Sequence, residues 1–228
     1  MPNDHSVSKS MELYKRAGER IPGWVQLISR RAERFARGVS PLYIESSKGA
    51  RFVDVDGKEY IDWTRALGAI ILGYADPVVD AAVKAQIDKG SLHSMNSALE
   101  IELADELADT IPSAEMVRYT KGGGEACAVA ARIARGTTNR DIILFCGYHG
   151  WHDWYQSANY LVDPDTGEFP FAGIEPIGVP RALAGTAIPF SYGDLDMIGR
   201  LFGEQQGKVA AIMMEPARSE QPEPGYLE

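Results

Sequence analysis

The second half of this sequence predicts an α/β fold of parallel strands joined by crossover helices. Short apolar runs at Met116–Thr120, Ile142–Cys146 and Val209–Met214 alternate with helical stretches. Glycines at 122–124 lead from the first run directly into a helix that continues to Arg135. In open parallel sheets, ligands bind outside the carboxyl ends of the strands. The chemistry is therefore expected just after Thr120, Cys146 and Met214.

The first half promises less chemistry. From Ser8 to about Arg37 the apolar residues recur loosely at helical spacing, interrupted by Ile21-Pro22-Gly23, which predicts two helical arms joined by a turn. Tyr43 to Trp63 alternates in short stretches around Asp56-Gly57, the pattern of a β-hairpin or meander turning at that dipeptide. Asp76-Pro77 supplies an N-cap and a first-turn proline for a helix over Val78–Lys89, which Gly90 stops. A further helix is expected from about Ser97 to Thr110, with Ile101, Ala104, Leu107 and Ala108 on one face and Pro112 closing it. Asp163 to Pro180, rich in Gly and Pro, reads as a long functional loop.

Composition excludes several function classes. The 228 residues are 45% hydrophobic and 24% charged, ordinary for a soluble globular chain. Lys plus Arg number 23 against 32 Asp plus Glu, a net charge of -9 that disfavours nucleic acid and anionic lipid as partners. The two cysteines, Cys127 and Cys146, match no metal or redox spacing and read as core residues. The start is too polar for a signal peptide and no apolar run approaches bilayer length, so a cytoplasmic setting and no membrane are expected.

Three places could carry chemistry. Lys121-Gly122-Gly123-Gly124-Glu125 lets the backbone approach a ligand closely while the following helix presents free N–H groups, a setting suited to a phosphate. A tight βα turn without ligand reads equally from this segment. Cys146-Gly147-Tyr148-His149-Gly150-Trp151-His152-Asp153-Trp154 directly follows an apolar strand and could stack and hydrogen-bond a planar ring. A structural histidine is the plainer reading of His149. A metal held by His149, His152 and Asp153 would need a helix, which Gly150 opposes. Glu215 ends the run Ala210–Met214 before Pro216, where it could orient a cofactor or be an ordinary strand-end residue.

Read together, further segments join these: Lys48 to Asp62, Leu72-Gly73-Tyr74-Ala75-Asp76-Pro77, Val117-Arg118-Tyr119-Thr120, Ala131-Arg132-Ile133-Ala134-Arg135 and Met214-Glu215-Pro216. In this order, over about residues 34 to 228, they resemble the class III pyridoxal-phosphate-dependent aminotransferases, which include the ω-aminotransferases and glutamate-1-semialdehyde aminomutase. The resemblance implies fold type I, an aspartate aminotransferase-like large α/β domain, incomplete here. Residues 1–75 would form the N-terminal helical arm and β-meander of the small domain, and 76–228 the first portion of the cofactor-binding large domain.

The resemblance also implies pyridoxal 5'-phosphate as cofactor. Gly122, Gly123 and Gly124, with the helix start behind them, would cradle its phosphate, Tyr148 would stack on its ring with His149 beside it, and Glu215 would support the residue contacting the ring. Relatives usually carry Ser or Asn before the central glycine and Thr or Ser after it, whereas Gly122 and Gly124 stand here, leaving the backbone N–H groups to compensate. Glu220 falls where ω-aminotransferases pair a glutamate with a substrate-binding arginine, although Ala217-Arg218-Ser219 departs from their pattern.

The implied activity is amino transfer between a small-molecule amino donor and a carbonyl acceptor, or the related aminomutase reaction, in a homodimer. The chain is expected to be an N-terminal half that ends before the Schiff-base lysine. Lys121 and Lys208 do not stand at that lysine's position, so no catalytic residue is assigned. Substrate contacts are expected from Trp63–Ala69, with Arg65 a candidate for a carboxylate, and from Ser91–Asn96. Two rivals remain: a non-catalytic fragment or pseudoenzyme that keeps a cofactor pocket or dimer surface, and a nucleotide module using the glycine turn, which leaves Tyr148-His149-Gly150 unexplained.

Overall fold

The computed structural model describes residues 6–161, 175–217 and 221–227. The chain divides into two compact units, up to Glu100 and from Ile101 onward, and the division falls inside a helix. It differs in place from the 75/76 boundary expected from sequence.

In the first unit, α1 (Ser8–Gly18) is capped from a distance. Asp56 accepts hydrogen bonds from Lys9 N at 2.8 Å and Ser10 N at 3.0 Å, supplying acceptors for first-turn donors that a helix cannot satisfy itself. The second expected helical arm is absent. Three short 3-10 turns, Pro22–Trp24, Ile28–Arg30 and Ala32–Arg34, stand in its place. Trp24 folds back onto Tyr14 with ring centroids 5.8 Å apart, so the segment's largest apolar group is spent on a contact with α1 instead of on a helix face.

The meander forms as expected: β1 (Ile44–Lys48), β2 (Arg51–Asp54) and β3 (Glu59–Ile61) are antiparallel in that order, turning at Asp56-Gly57. Asp56 thus turns the sheet and caps the helix together. Burial alone would push its carboxyl up, but the amides of Lys9 and Ser10 and the hydroxyls of Ser10 and Ser8 bring it below the usual range. A depressed folded pKa stabilises the docked helix at neutral pH and is lost as pH falls through that lowered value. Asp56→Asn should accordingly speed amide exchange at Lys9 and Ser10 at neutral pH and flatten its acid dependence, as measured by NMR.

Beyond the meander, Arg65, Ala66, Leu67 and Gly68 take φ of 49°, 46°, 56° and 90°, a left-handed run. It is held from behind by Asp62, which accepts from Thr64 N at 2.8 Å, Arg65 N at 3.1 Å and the Tyr74 hydroxyl at 2.7 Å. Helix α2 (Pro77–Lys89) starts as the sequence demands, with Asp76 Oδ1 accepting from Val78 N and Val79 N at 3.0 Å. Helix α3 (Ala98–Thr110) opens with a reciprocal cap between Ser97 and Glu100. No residue of α2 or α3 is buried, and Val78, Val79, Val83 and Ile87 of the one and Leu99, Ile101 and Leu103 of the other are exposed.

The second unit holds the parallel sheet. β4 (Ile142–Cys146) lies between β5 (Ala187–Pro189) and β6 (Val209–Met214), all parallel. Every residue of β4 is buried, which explains its unbroken apolar sequence. Around it pack α4 (Gly123–Thr138), the short α5 (Asp153–Gln156) and α6 (Leu195–Glu204). One face of the sheet carries Ile143 and Phe145 against Ala131, Trp154, Tyr155 and Ala158; the other carries Ile142, Leu144 and Cys146 against Phe190 and Val209. Arg135 ties the end of α4 to the strand starts, reaching Asp141 O at 2.8 Å and Thr186 O at 3.1 Å.

The strand expected over Met116–Thr120 does not form. Although β5 and β6 each leave an outer edge open, this segment pairs with neither and has no ladder partner among the described residues, and Met116 is 94% exposed. Strand β5 and helix α6 were not foreseen. β5 is only three residues long and ends in proline, and α6 is announced mainly by Asp194, which accepts from Met197 N at 2.8 Å. Of the loop over Asp163 to Pro180, residues 163–174 lie outside the described residues.

Candidate cofactor cradle

Cys146 pairs with Met214 in the sheet, so the residues that follow them, Gly147 and Glu215, emerge side by side. A Cβ placed on Gly147, whose φ is +98°, would lie 3.4 Å from Glu215 Oε2. The backbone then turns through Tyr148 and His149 to Gly150, and there it meets the glycine helix. A Cβ on Gly150 would come within 2.5 Å of Gly124 Cα, a separation real Cβ atoms do not tolerate. Gly150 also sits at φ +104°, a conformation side chains resist. The sequence marked the two loops separately; the structure joins them through this glycine-to-glycine contact.

Gly122 is the N-cap of α4, with extended backbone, and Gly123 and Gly124 form its first turn. Open space lies where side chains would be on Gly122 and Gly123, with nothing within 4 Å. Lys121 N donates to Glu125 Oε2 at 2.9 Å, so the carboxylate in the first turn occupies the donor just before the helix and leaves those of the turn itself. Such a start presents N–H groups and the positive end of the helix dipole to an anion.

The aromatic loop stands on a buried floor. Tyr148 is 61% exposed and sets its ring edge-on to Tyr155, centroids 5.9 Å apart. Burial raises the Tyr148 hydroxyl, a hydrogen bond with Trp151 opposing it in part. Tyr155 is fully buried and donates to Gly147 O at 3.0 Å, and burial, opposed by a hydrogen bond at His149, pushes its phenol far up so that it stays a donor. Trp154 closes the aromatic segment marked from sequence, whereas Tyr155 and Phe145 were not singled out as site residues. The signal was present as aromatic clustering beside the strand end, but the tilt of those rings into the core was not.

His149 points inward. Its ring is buried, packs edge-on to Phe145 with centroids 6.0 Å apart, and lies 3.0 Å by Nε2 from Cys146 O and 3.9 Å by Nδ1 from Cys127 Sγ. Burial also raises the Cys127 thiol, keeping it protonated beside that ring. His152 remains on the surface beside Gly124. Glu215 is exposed at the end of β6, Glu220 lies outside the described residues, and Arg65 belongs to the other compact unit. Among the described residues no helix is long and apolar enough to cross a membrane.

Comparison with known proteins gives this arrangement a context. The family Aminotransferase class-III matches residues 34–226. A 3-aminobutyryl-CoA aminotransferase of Cloacimonas acidaminovorans is 35% identical over 97% of this chain and 51% of its own length. A glutamate-1-semialdehyde 2,1-aminomutase of Geotalea daltonii is 37% identical over 98% of this chain and 52% of its own. An omega-transaminase from Sphaerobacter thermophilus superposes with a TM-score of 0.81 at 28% identity, over 96% of this chain and 50% of that one. A solved transaminase with PLP bound reaches the same TM-score at 26% identity, over 97% and 51%. The chain thus spans about half the length of the curated relatives it matches. With the family's pattern matching residues 34–226, most of its length, the chain belongs to the class III aminotransferases.

Proposed function

We propose that this chain supplies the cofactor-cradling part of a pyridoxal-phosphate-dependent aminotransferase, acting on a small-molecule amino donor and a carbonyl acceptor as a homodimer. The observation that carries this reading is the contact of Gly124 with Gly150, which brings an anion-binding helix start and an exposed aromatic side chain onto one locus. The residues present fit the cofactor. Gly123 and Gly124 would hold its phosphate through backbone N–H groups, Gly122 leaves room for the approach, and Tyr148 would cover one face of its ring. Glu215, across Gly147, is placed to accept from a donor that contacts the ring, and His149 acts from beneath by fixing the loop at Cys146 O.

When bound, pyridoxal phosphate supplies the electron sink that lets an amino group leave one carbon and join another. The chain's own residues bind and orient. Tyr155 locks the Gly147 carbonyl with a proton it does not release, and the apolar floor under Tyr148 keeps water from that side of the loop. The aminomutase reaction uses the same cradle, and the 37% identity to an aminomutase keeps it as a second reading.

Competition tests the proposal. Pyridoxal phosphate should bind saturably, and inorganic phosphate should displace it, because both claim the first turn of α4. Binding that phosphate leaves unchanged would place the cofactor elsewhere.

A further inference from the structure

The two histidines of the aromatic loop part company. His149 turns into the core, whereas His152 stays exposed. His152 stands at the N-cap of α5, yet its side chain makes no capping hydrogen bond, and among the described residues its ring has no hydrogen-bond or ion-pair partner. The ring is nevertheless in a defined place. A Cβ built on Gly124 would lie 3.4 Å from His152 Cδ2 and 3.6 Å from its Nε2. The Nε2 edge of the imidazole therefore lies against the spot where a side chain of the first turn of α4 would begin.

That spot decides how well an anion is held, because Gly124 brings no side chain of its own. The first turn of a helix offers backbone N–H groups and about half a positive charge. A phosphate monoester carries about 1.5 to 2 negative charges at neutral pH and accepts at three oxygens, so a side-chain donor beside the turn adds a contact that the backbone leaves open. The other hydroxyl nearby is already engaged: Thr120 Oγ1 donates to Gly122 O at 3.2 Å. His152 also borders the cleft along the start of α4 together with Arg118 and Lys121, where Glu125 has one carboxylate oxygen accepting from Lys121 N. The ring's unused donor edge thus faces a helix start with basic residues around it.

Building on the cradle proposed above, we infer that His152 donates from Nε2 to the phosphate held at the first turn of α4, in the place of the hydroxyl that Gly124 lacks. The two histidines then divide the loop's work. His149 fixes the loop from beneath, and His152 meets the ligand.

Isothermal titration with pyridoxamine phosphate tests this on the wild-type chain, on His152→Ala, and on His152→Ala combined with Gly124→Ser. Wild-type protein should bind saturably and His152→Ala about tenfold more weakly, the size expected for one hydrogen bond to a charged acceptor. The serine hydroxyl enters room that the ring has vacated, with its Cβ 3.4 Å from Gly150 Cα, and should recover most of the lost affinity. Inorganic phosphate, read by displacement, should weaken in His152→Ala by the same factor as pyridoxamine phosphate, since the lost contact is to the phosphate. Circular dichroism should be unchanged, because the side chain is exposed and caps nothing. Equal affinity of wild type and His152→Ala, a loss that spares inorganic phosphate, or a double variant no better than His152→Ala would overturn the inference and leave the cradle standing. No saturable binding by the wild-type chain would remove the cradle and this inference with it.

Discussion

Replacing Gly150 with alanine should destabilise the second unit by roughly 2–6 kcal/mol, the sum of about 1–3 for a side chain forced into this backbone conformation and about 1–3 for overpacking. The new methyl would lie 2.5 Å from Gly124 Cα and would have to adopt φ +104°. Neither strain relaxes alone, because the clash is with backbone. Moving α4 away disturbs Ala131 and Cys127 on the sheet, and moving the loop breaks the His149 contact with Cys146 O at 3.0 Å. Chemical denaturation should show a lower midpoint at unchanged slope. Surviving folded protein should lose affinity for pyridoxal phosphate, because the two halves of the cradle would no longer meet. An alanine variant of wild-type stability would mean that the two glycines do not touch.

Phe145→Ala should cost about 3–5 kcal/mol, the usual range for emptying an aromatic position in a core. Phe145 is 1% exposed and its ring meets His149, Trp154 and Tyr155 with centroids 6.0, 6.3 and 5.1 Å away. It touches all three supports of the aromatic loop, so the loss is not confined to packing. The cavity would lie directly under the 147–150 turn, and amide exchange there should rise more than at the start of β4. Thermal or urea unfolding measures the first effect and hydrogen exchange the second. A uniform rise across the unit would mean that the cluster supports the sheet and not the loop.

What was legible in the sequence follows from how local each cause is. The bounds of β4 could be read because a strand buried on both faces must be apolar throughout, those of β6 because its run is equally apolar although only half-buried, and the start of α2 because Asp76-Pro77 is a self-contained cap. The two loops proposed as the cradle stood out for an equally local reason, as a run of glycines before a helix and a cluster of aromatics after β4. The meeting of Gly124 with Gly150 was not legible, since it depends on how α4 lies across the sheet. Tertiary circumstance also decided the misses. Met116–Thr120 has a strand's composition but pairs with no strand among the described residues, and the stretch from Trp24 to Phe35 has helical spacing but gives its Trp24 ring to Tyr14. The inward turn of His149 belongs with these, because a histidine between two glycines can face either way until the packing around Phe145 is known.

The central claim is that the first turn of α4 and Tyr148 form one cradle for the cofactor. Titration of the chain with pyridoxamine phosphate, which lacks the aldehyde and so cannot bond to surface lysines, tests it most directly. The account predicts saturable binding that Tyr148→Ala weakens about tenfold, in line with roughly 1–1.5 kcal/mol for a stacked aromatic contact, while the variant unfolds like the wild type because Tyr148 is 61% exposed. Equal affinity in the two proteins, or no saturable binding by either, would contradict it.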